Sequence, residues 1–214
     1  IMSDKLISTL RKSPIVPLVQ SNDPEVALET ARALMLGGIN VIEVVLRTTE
    51  ALASLQKIAK ELPLVSVGAG TVLNANQAEK AIDHGAKFIV SPGLNENVVS
   101  VSVANNMPVL PGVATATELQ KAWNMDLRTV KFFPAGLAGG PKMLKALSSV
   151  FKDMEFMPTG GVNAATLANY LSVPAVLACG GSWLTPNDAV ALRDFETITT
   201  LAKEALSIAA QARS

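Results

Sequence analysis

Short β-branched runs recur along the whole chain, separated by helical patterns, and this repeat restricts the fold more than anything else in the sequence. The runs are PIVPLVQ (14–20), VIEVVL (41–46), LVSVGAG (64–70), KFIVSP (87–92), PVLPGVA (108–114), TVKFFP (129–134), MEFMPTG (154–160) and AVLACGG (175–181). Their starts are spaced by roughly 20 to 27 residues, enough for one strand, one helix and two short loops. Between them, apolar residues fall at helical spacing: Ala27, Ala31, Leu34 and Met35, and again Leu201, Ala205, Ile208 and Ala209. Asp23 before Pro24, Asn74 and Asn163 read as helix caps, while Gly37-Gly38 and Gly85 read as helix ends. Parallel neighbours need a crossover, so eight alternating units predict a parallel sheet. Eight is also the number that closes a (β/α)8 TIM barrel, expected here as a single domain over residues 2–214. Ile1, ahead of Met2, is expected to be a cloning remnant. An open doubly wound sheet is the rival, but neither GxGxxG nor GxxxxGK is present, and GAGTVL (68–73) breaks the dinucleotide pattern at Leu73.

Composition narrows the chemistry. Apolar residues make up 49% of the chain and charged residues 17%, which suits fully buried strands. Lys plus Arg and Asp plus Glu are balanced at 18 each, so no charge excess points to nucleic acid or an anionic membrane surface. No apolar run approaches the ~18 residues of a membrane helix, and the start IMSDKLIS lacks a signal-peptide pattern. A single cysteine, Cys179, forbids an intrachain disulfide and is compatible with the cytoplasm. The one histidine, His84, precedes Gly85 in the expected last turn of a helix, where a cation suits the dipole. A zinc site built on HExxH is therefore ruled out and no metal is expected; lysine and carboxylates remain as the reactive groups.

The polar residues on the strands carry that chemistry. Strand side chains alternate, so Glu43, Val45 and Arg47 share a face, as do Lys131 and Phe133, and as do Val67, Ala69 and Thr71. Turned inward, these faces put a carboxylate, an amine, a guanidinium and a hydroxyl inside one barrel. Glu43 and Lys131 could be only a buried ion pair, but such pairs stabilise weakly. Thr71 could instead cap the next helix. Desolvation favours the neutral form of an amine, and a neutral amine adds to a ketone to give an imine that withdraws electrons from the adjacent carbon. A carboxylate can move the protons, and arginine with a hydroxyl suits a substrate carboxylate. This is the chemistry of a class I aldolase acting on a 2-keto acid. Glycine pairs then close the last two strands, in Thr159-Gly160-Gly161 and Gly180-Gly181-Ser182, where barrels hold phosphate. Thr185-Pro186 reads as the cap and first residue of a short helix.

PIVPLV, GGINVIEVVLRT, VGAGTVLN, GAKFIVSPGL, PVLPGVAT, VKFFPA, PTGGV and CGGSWL together resemble the bacterial 2-keto-3-deoxy-6-phosphogluconate (KDPG) aldolases, also called 4-hydroxy-2-oxoglutarate (KHG) aldolases, over nearly the whole chain. The resemblance implies Lys131 as the Schiff-base lysine and Glu43 as the general acid/base. It implies Arg47 and Thr71 on the pyruvate carboxylate, and Pro92 and Phe133 as apolar walls. Thr159, Gly160, Gly161, Gly181 and Ser182 are implied at the phosphate end. No cofactor is implied, the partner is the small keto-acid substrate, and the assembly is a homotrimer. Val45 departs from the frequent threonine of EVTLRT, and Gly136 from the glutamate of KFFPAE. Rival activities are cleavage of the galactonate epimer and a non-catalytic phosphate-binding barrel.

Overall fold

A computed structural model describes residues 4–214. Ile1 and the expected domain start at residue 2 lie outside the described residues. Nine strands form among those described: β1 (Ile15–Val19), β2 (Val41–Val45), β3 (Ser66–Gly70), β4 (Ile89–Val90), β5 (Val109–Leu110), β6 (Gly112–Val113), β7 (Thr129–Phe132), β8 (Glu155–Pro158) and β9 (Cys179–Gly181). They fall within the eight expected runs. The ninth arises because Pro111, which has no N–H to give the ladder, divides the run 108–114 into β5 and β6.

All pairings are parallel. One curled sheet runs β5-β4-β3-β2-β1-β9, a half-barrel, and a second runs β6-β7-β8. The chain passes from one to the other at Pro111. On the far side, bridges Phe156↔Val176 and Thr159↔Gly180 join β8 to the segment leading into β9 and to β9 itself. The Phe156 N–H donates to Ala175 O at 2.8 Å, and the Leu177 N–H to Phe156 O at 2.9 Å. The barrel expected from the repeat is the fold observed.

Ten helices accompany the strands among the described residues: α1 (Asp4–Lys12), α2 (Pro24–Leu36), α3 (Ala51–Glu61), α4 (Ala75–Asp83), α5 (Glu96–Ala104), α6 (Ala116–Asn124), α7 (Gly140–Val150), α8 (Leu167–Leu171), α9 (Asn187–Ala191) and α10 (Phe195–Ala212). Asp23 caps α2 and Asn74 caps α4, each through its side chain. Asn163 does not cap a helix: its side chain accepts from Ala165 N and Thr166 N in a turn, and α8 starts at Leu167. His84 is the C-cap of α4, with its ring Nδ1 2.7 Å from Lys80 O. None of these helices is long and apolar enough to cross a membrane.

Two cores follow from strand alternation. The outward residues, such as Ile42, Val44, Val67, Ala69, Val130 and Phe132, pack against the helices in the larger cluster. The inward ones, Val16, Val41, Phe88, Val90, Leu110 and Met157, form a separate cluster with Leu6 and Leu10 of α1. Leu6 and Leu10 stand four residues apart, on one face of α1. That helix, which the strand–helix repeat does not announce, closes the end of the barrel where the strands begin, and so leaves the other end for ligands.

Candidate active site

Lys131 is the third residue of β7, and Glu43 the third of β2. Parallel pairing fixes both, through Gly112↔Lys131 and Lys131↔Met157 on one side and Leu18↔Glu43 and Glu43↔Gly68 on the other. Neighbours in sequence, Val130, Phe132, Ile42 and Val44, point out into the larger core, so both polar side chains must point in. Lys131 is 4% exposed and Glu43 0%. Their charged ends approach to 3.8 Å, Nζ to Oε1, close enough for attraction and too far for a hydrogen bond. Neither Glu43 carboxylate oxygen has a hydrogen-bond partner among the described residues. A fully buried carboxylate left this way is costly as a structural group and well suited to hold a proton in transit. Lys131 Nζ also lies over the Phe133 ring, 5.1 Å from its centroid.

The outer part of the site assembles around this pair. Arg47 Nε donates to Thr71 Oγ1 at 3.2 Å, joining the ends of β2 and β3. Arg47 is exposed and Thr71 half-buried, as expected for residues at a mouth. The route by which Thr71 arrives corrects the alternation argument. Val67 and Ala69 face outward into the helix-packed core, so Thr71 does not reach the mouth by strand phase. Its backbone is left-handed, at φ 57°, and this turn beyond the strand brings the hydroxyl to Arg47. Nor does Thr71 cap α4, since Asn74 does. The inward face of β3 consists instead of Ser66, Gly68 and Gly70, and a Cβ on Gly68 would stand 2.3 Å from the Phe88 ring.

The ends of β8 and β9 lie together. Thr159 is buried and bridges to Gly180. Gly160 and Gly161 take φ 92° and 83°, a conformation that glycine adopts without a Cβ penalty. A Cβ on Gly160 would sit 3.4 Å from Phe133, which places this turn beside the lysine's aromatic wall. Gly181 is buried against Trp183, and Ser182 is exposed, its carbonyl accepting from Thr185 N at 3.1 Å. Pro92 follows β4 and is half-buried. Thr185 is not a cap: α9 starts after Pro186, and the buried Thr185 hydroxyl donates to Leu18 O at 2.6 Å. This tie between the β9 loop and β1 has no signal in the sequence, because a threonine before proline reads locally as a cap.

A profile of the family described as KDPG and KHG aldolase matches residues 6–201. The chain belongs to this family. Among its relatives in the family, the KHG/KDPG aldolase of Escherichia coli K12 is 42% identical over 199 residues, 93% of either chain. The 2-dehydro-3-deoxy-phosphogluconate aldolase of Treponema pallidum is 41% identical, over 95% of this chain and 97% of that one. In structure, the chain resembles the Legionella pneumophila KDPG aldolase with pyruvate captured as a covalent carbinolamine, at TM-score 0.89 and 38% identity over 92% and 96% of the two chains. The Zymomonas mobilis KDPG aldolase with 3-phosphoglycerate gives TM-score 0.89 and 41% identity over 96% and 97%. Members of the KDPG and KHG aldolase family are lyases.

Proposed function

We propose that this family member cleaves 2-keto-3-deoxy-6-phosphogluconate reversibly to pyruvate and D-glyceraldehyde 3-phosphate by class I chemistry. The observation that carries this is a buried lysine 3.8 Å from a buried carboxylate that has no hydrogen-bond partner among the described residues, inside a barrel. The neutral Lys131 amine adds to the C2 ketone, and loss of water from the carbinolamine gives the imine. Glu43 takes the proton of the C4 hydroxyl as the C3–C4 bond breaks. The bonding pair moves into the protonated imine, leaving the enamine of pyruvate and releasing the aldehyde. Glu43 then returns a proton to C3, and water hydrolyses the imine to free pyruvate and the lysine.

Arg47 and Thr71 hold the keto-acid carboxylate, Phe133 and Pro92 wall the pyruvate moiety, and Thr159, Gly160, Gly161, Gly181 and Ser182 receive the phosphate. The same steps on 4-hydroxy-2-oxoglutarate give pyruvate and glyoxylate without engaging the glycine turns. We further infer a homotrimer of one domain spanning residues 2–214, located in the cytoplasm. Identities of 41–42% to KDPG aldolases, against 28% to a KDPGal structure, favour the gluconate epimer. Turnover of both purified epimers, followed by pyruvate release, tests it. Faster turnover of the gluconate epimer is expected, and preference for the galactonate epimer or turnover of neither would overturn it.

A further inference from the structure

No hydrogen bond among the described residues holds the Glu43 carboxylate, and packing sets it beside Lys131. A Cβ placed on Gly70 would lie 1.8 Å from Glu43 Oε1, 2.5 Å from Cδ and 2.6 Å from Cγ. The carboxylate thus rests on bare backbone, in the space any other residue at 70 would fill. Gly70 cannot retreat from it. The residue pairs with Val45 in the β2–β3 ladder, and its carbonyl accepts from Leu46 N at 2.8 Å. Nor is glycine needed there for conformation, since Gly70 is not among the positive-φ residues. Space alone accounts for it. Gly68, two residues earlier on the same face, gives its space to the Phe88 ring and so supports the barrel interior.

We propose that Gly70 is a positioning residue for the proton-transfer step: its missing side chain is the seat that sets the Glu43 carboxylate against Lys131. The inference rests on the assignment of Glu43 as the base. Gly70→Ala forces the carboxylate out of its seat and leaves the Lys131 amine, on β7, in place.

The test compares two readouts on folded protein, with pyruvate as the probe: borohydride trapping of the Lys131 imine, and exchange of the pyruvate methyl protons in deuterated water. G70A is expected to trap imine like the unmodified protein while its exchange rate falls about a hundredfold or more, as in E43Q. Normal exchange in G70A, or loss of trapping together with exchange, overturns the proposal. Normal exchange in E43Q overturns the base assignment itself and the proposal with it, whereas fast exchange in G70A with slow exchange in E43Q removes only the role of Gly70. If G70A does not fold, G70A/E43A, which lacks the colliding carboxylate, is expected to fold; failure of that double variant also counts against the proposal.

Discussion

Lys131 and Glu43 are each an anomaly in an apolar strand, and that anomaly makes them legible in the sequence. A charged group in the middle of VKFFP or VIEVVL has to be desolvated, and the sequence offers no local partner. Two consequences follow for substitutions. Lys131→Met removes the nucleophile, so keto-acid cleavage should fall to background; it also strands a buried carboxylate, and loss of one partner of such a pair costs about 3–5 kcal/mol. Denaturant unfolding should therefore show K131M less stable than K131M/E43L, in which the stranded charge is gone. Equal stability of the two would mean that water reaches Glu43. At the mouth, Arg47→Lys keeps the charge and loses the planar fork, so KM for the keto acid should rise while imine trapping at saturating pyruvate persists. Steady-state kinetics would show this as a KM effect; a fall in kcat alone would place Arg47 elsewhere in the mechanism. The glycines are harder to read. SVGAG looks like a strand end with loosening glycines, because sequence shows what a residue carries and not the space its absence leaves. Thr71 does meet Arg47 through a hydrogen bond, but the phase argument for it is wrong. Its left-handed turn, unlike strand alternation, leaves no periodic trace.

At the scale of elements, the repeat is legible because each unit buries its strand on both faces and its helix on one, which writes the same pattern eight times. What escapes is what lies outside the repeat. Helix α1 is short and mostly polar in sequence, and only its partners reveal its purpose. Leu10, 2% exposed, packs against the inward strand residues at the closed end. Leu10→Ala should lose about 2–5 kcal/mol of stability while leaving kcat nearly unchanged, since the site is at the opposite end. Chemical denaturation and steady-state kinetics on one preparation check both halves. Helix α6 gives a pH-dependent case. Glu118 completes a capping box with Thr115 and accepts from Ala114 N at 2.7 Å, and these bonds hold its carboxyl below the ordinary range. A depressed acid contributes stability above its unfolded pKa and loses it as pH falls through the folded value. The advantage of the parent over E118Q should thus be present at neutral pH and shrink below about pH 4. Being surface-exposed, the group should contribute only modestly, and less at high salt.

For the whole molecule, closure is what brings β2 and β7 face to face. Glu43 and Lys131 are far apart in sequence and lie on different sheets, so their approach depends on both junctions, at Pro111 and at the bridges from β8 to β9. The alternation of strands tells which way each side chain points; only closure tells that two of them meet. Assembly is the property least visible at this scale. Light scattering should give about three times the 22.4 kDa chain for the inferred trimer. A monomer with full activity would remove the trimer and leave the chemistry intact. Covalent imine formation at Lys131 is tested by incubating the protein with pyruvate, reducing with borohydride and mapping the adduct by mass spectrometry. One adduct is expected, confined to the peptide carrying Lys131. Folded protein with no adduct, or with adducts scattered over surface lysines, would contradict it.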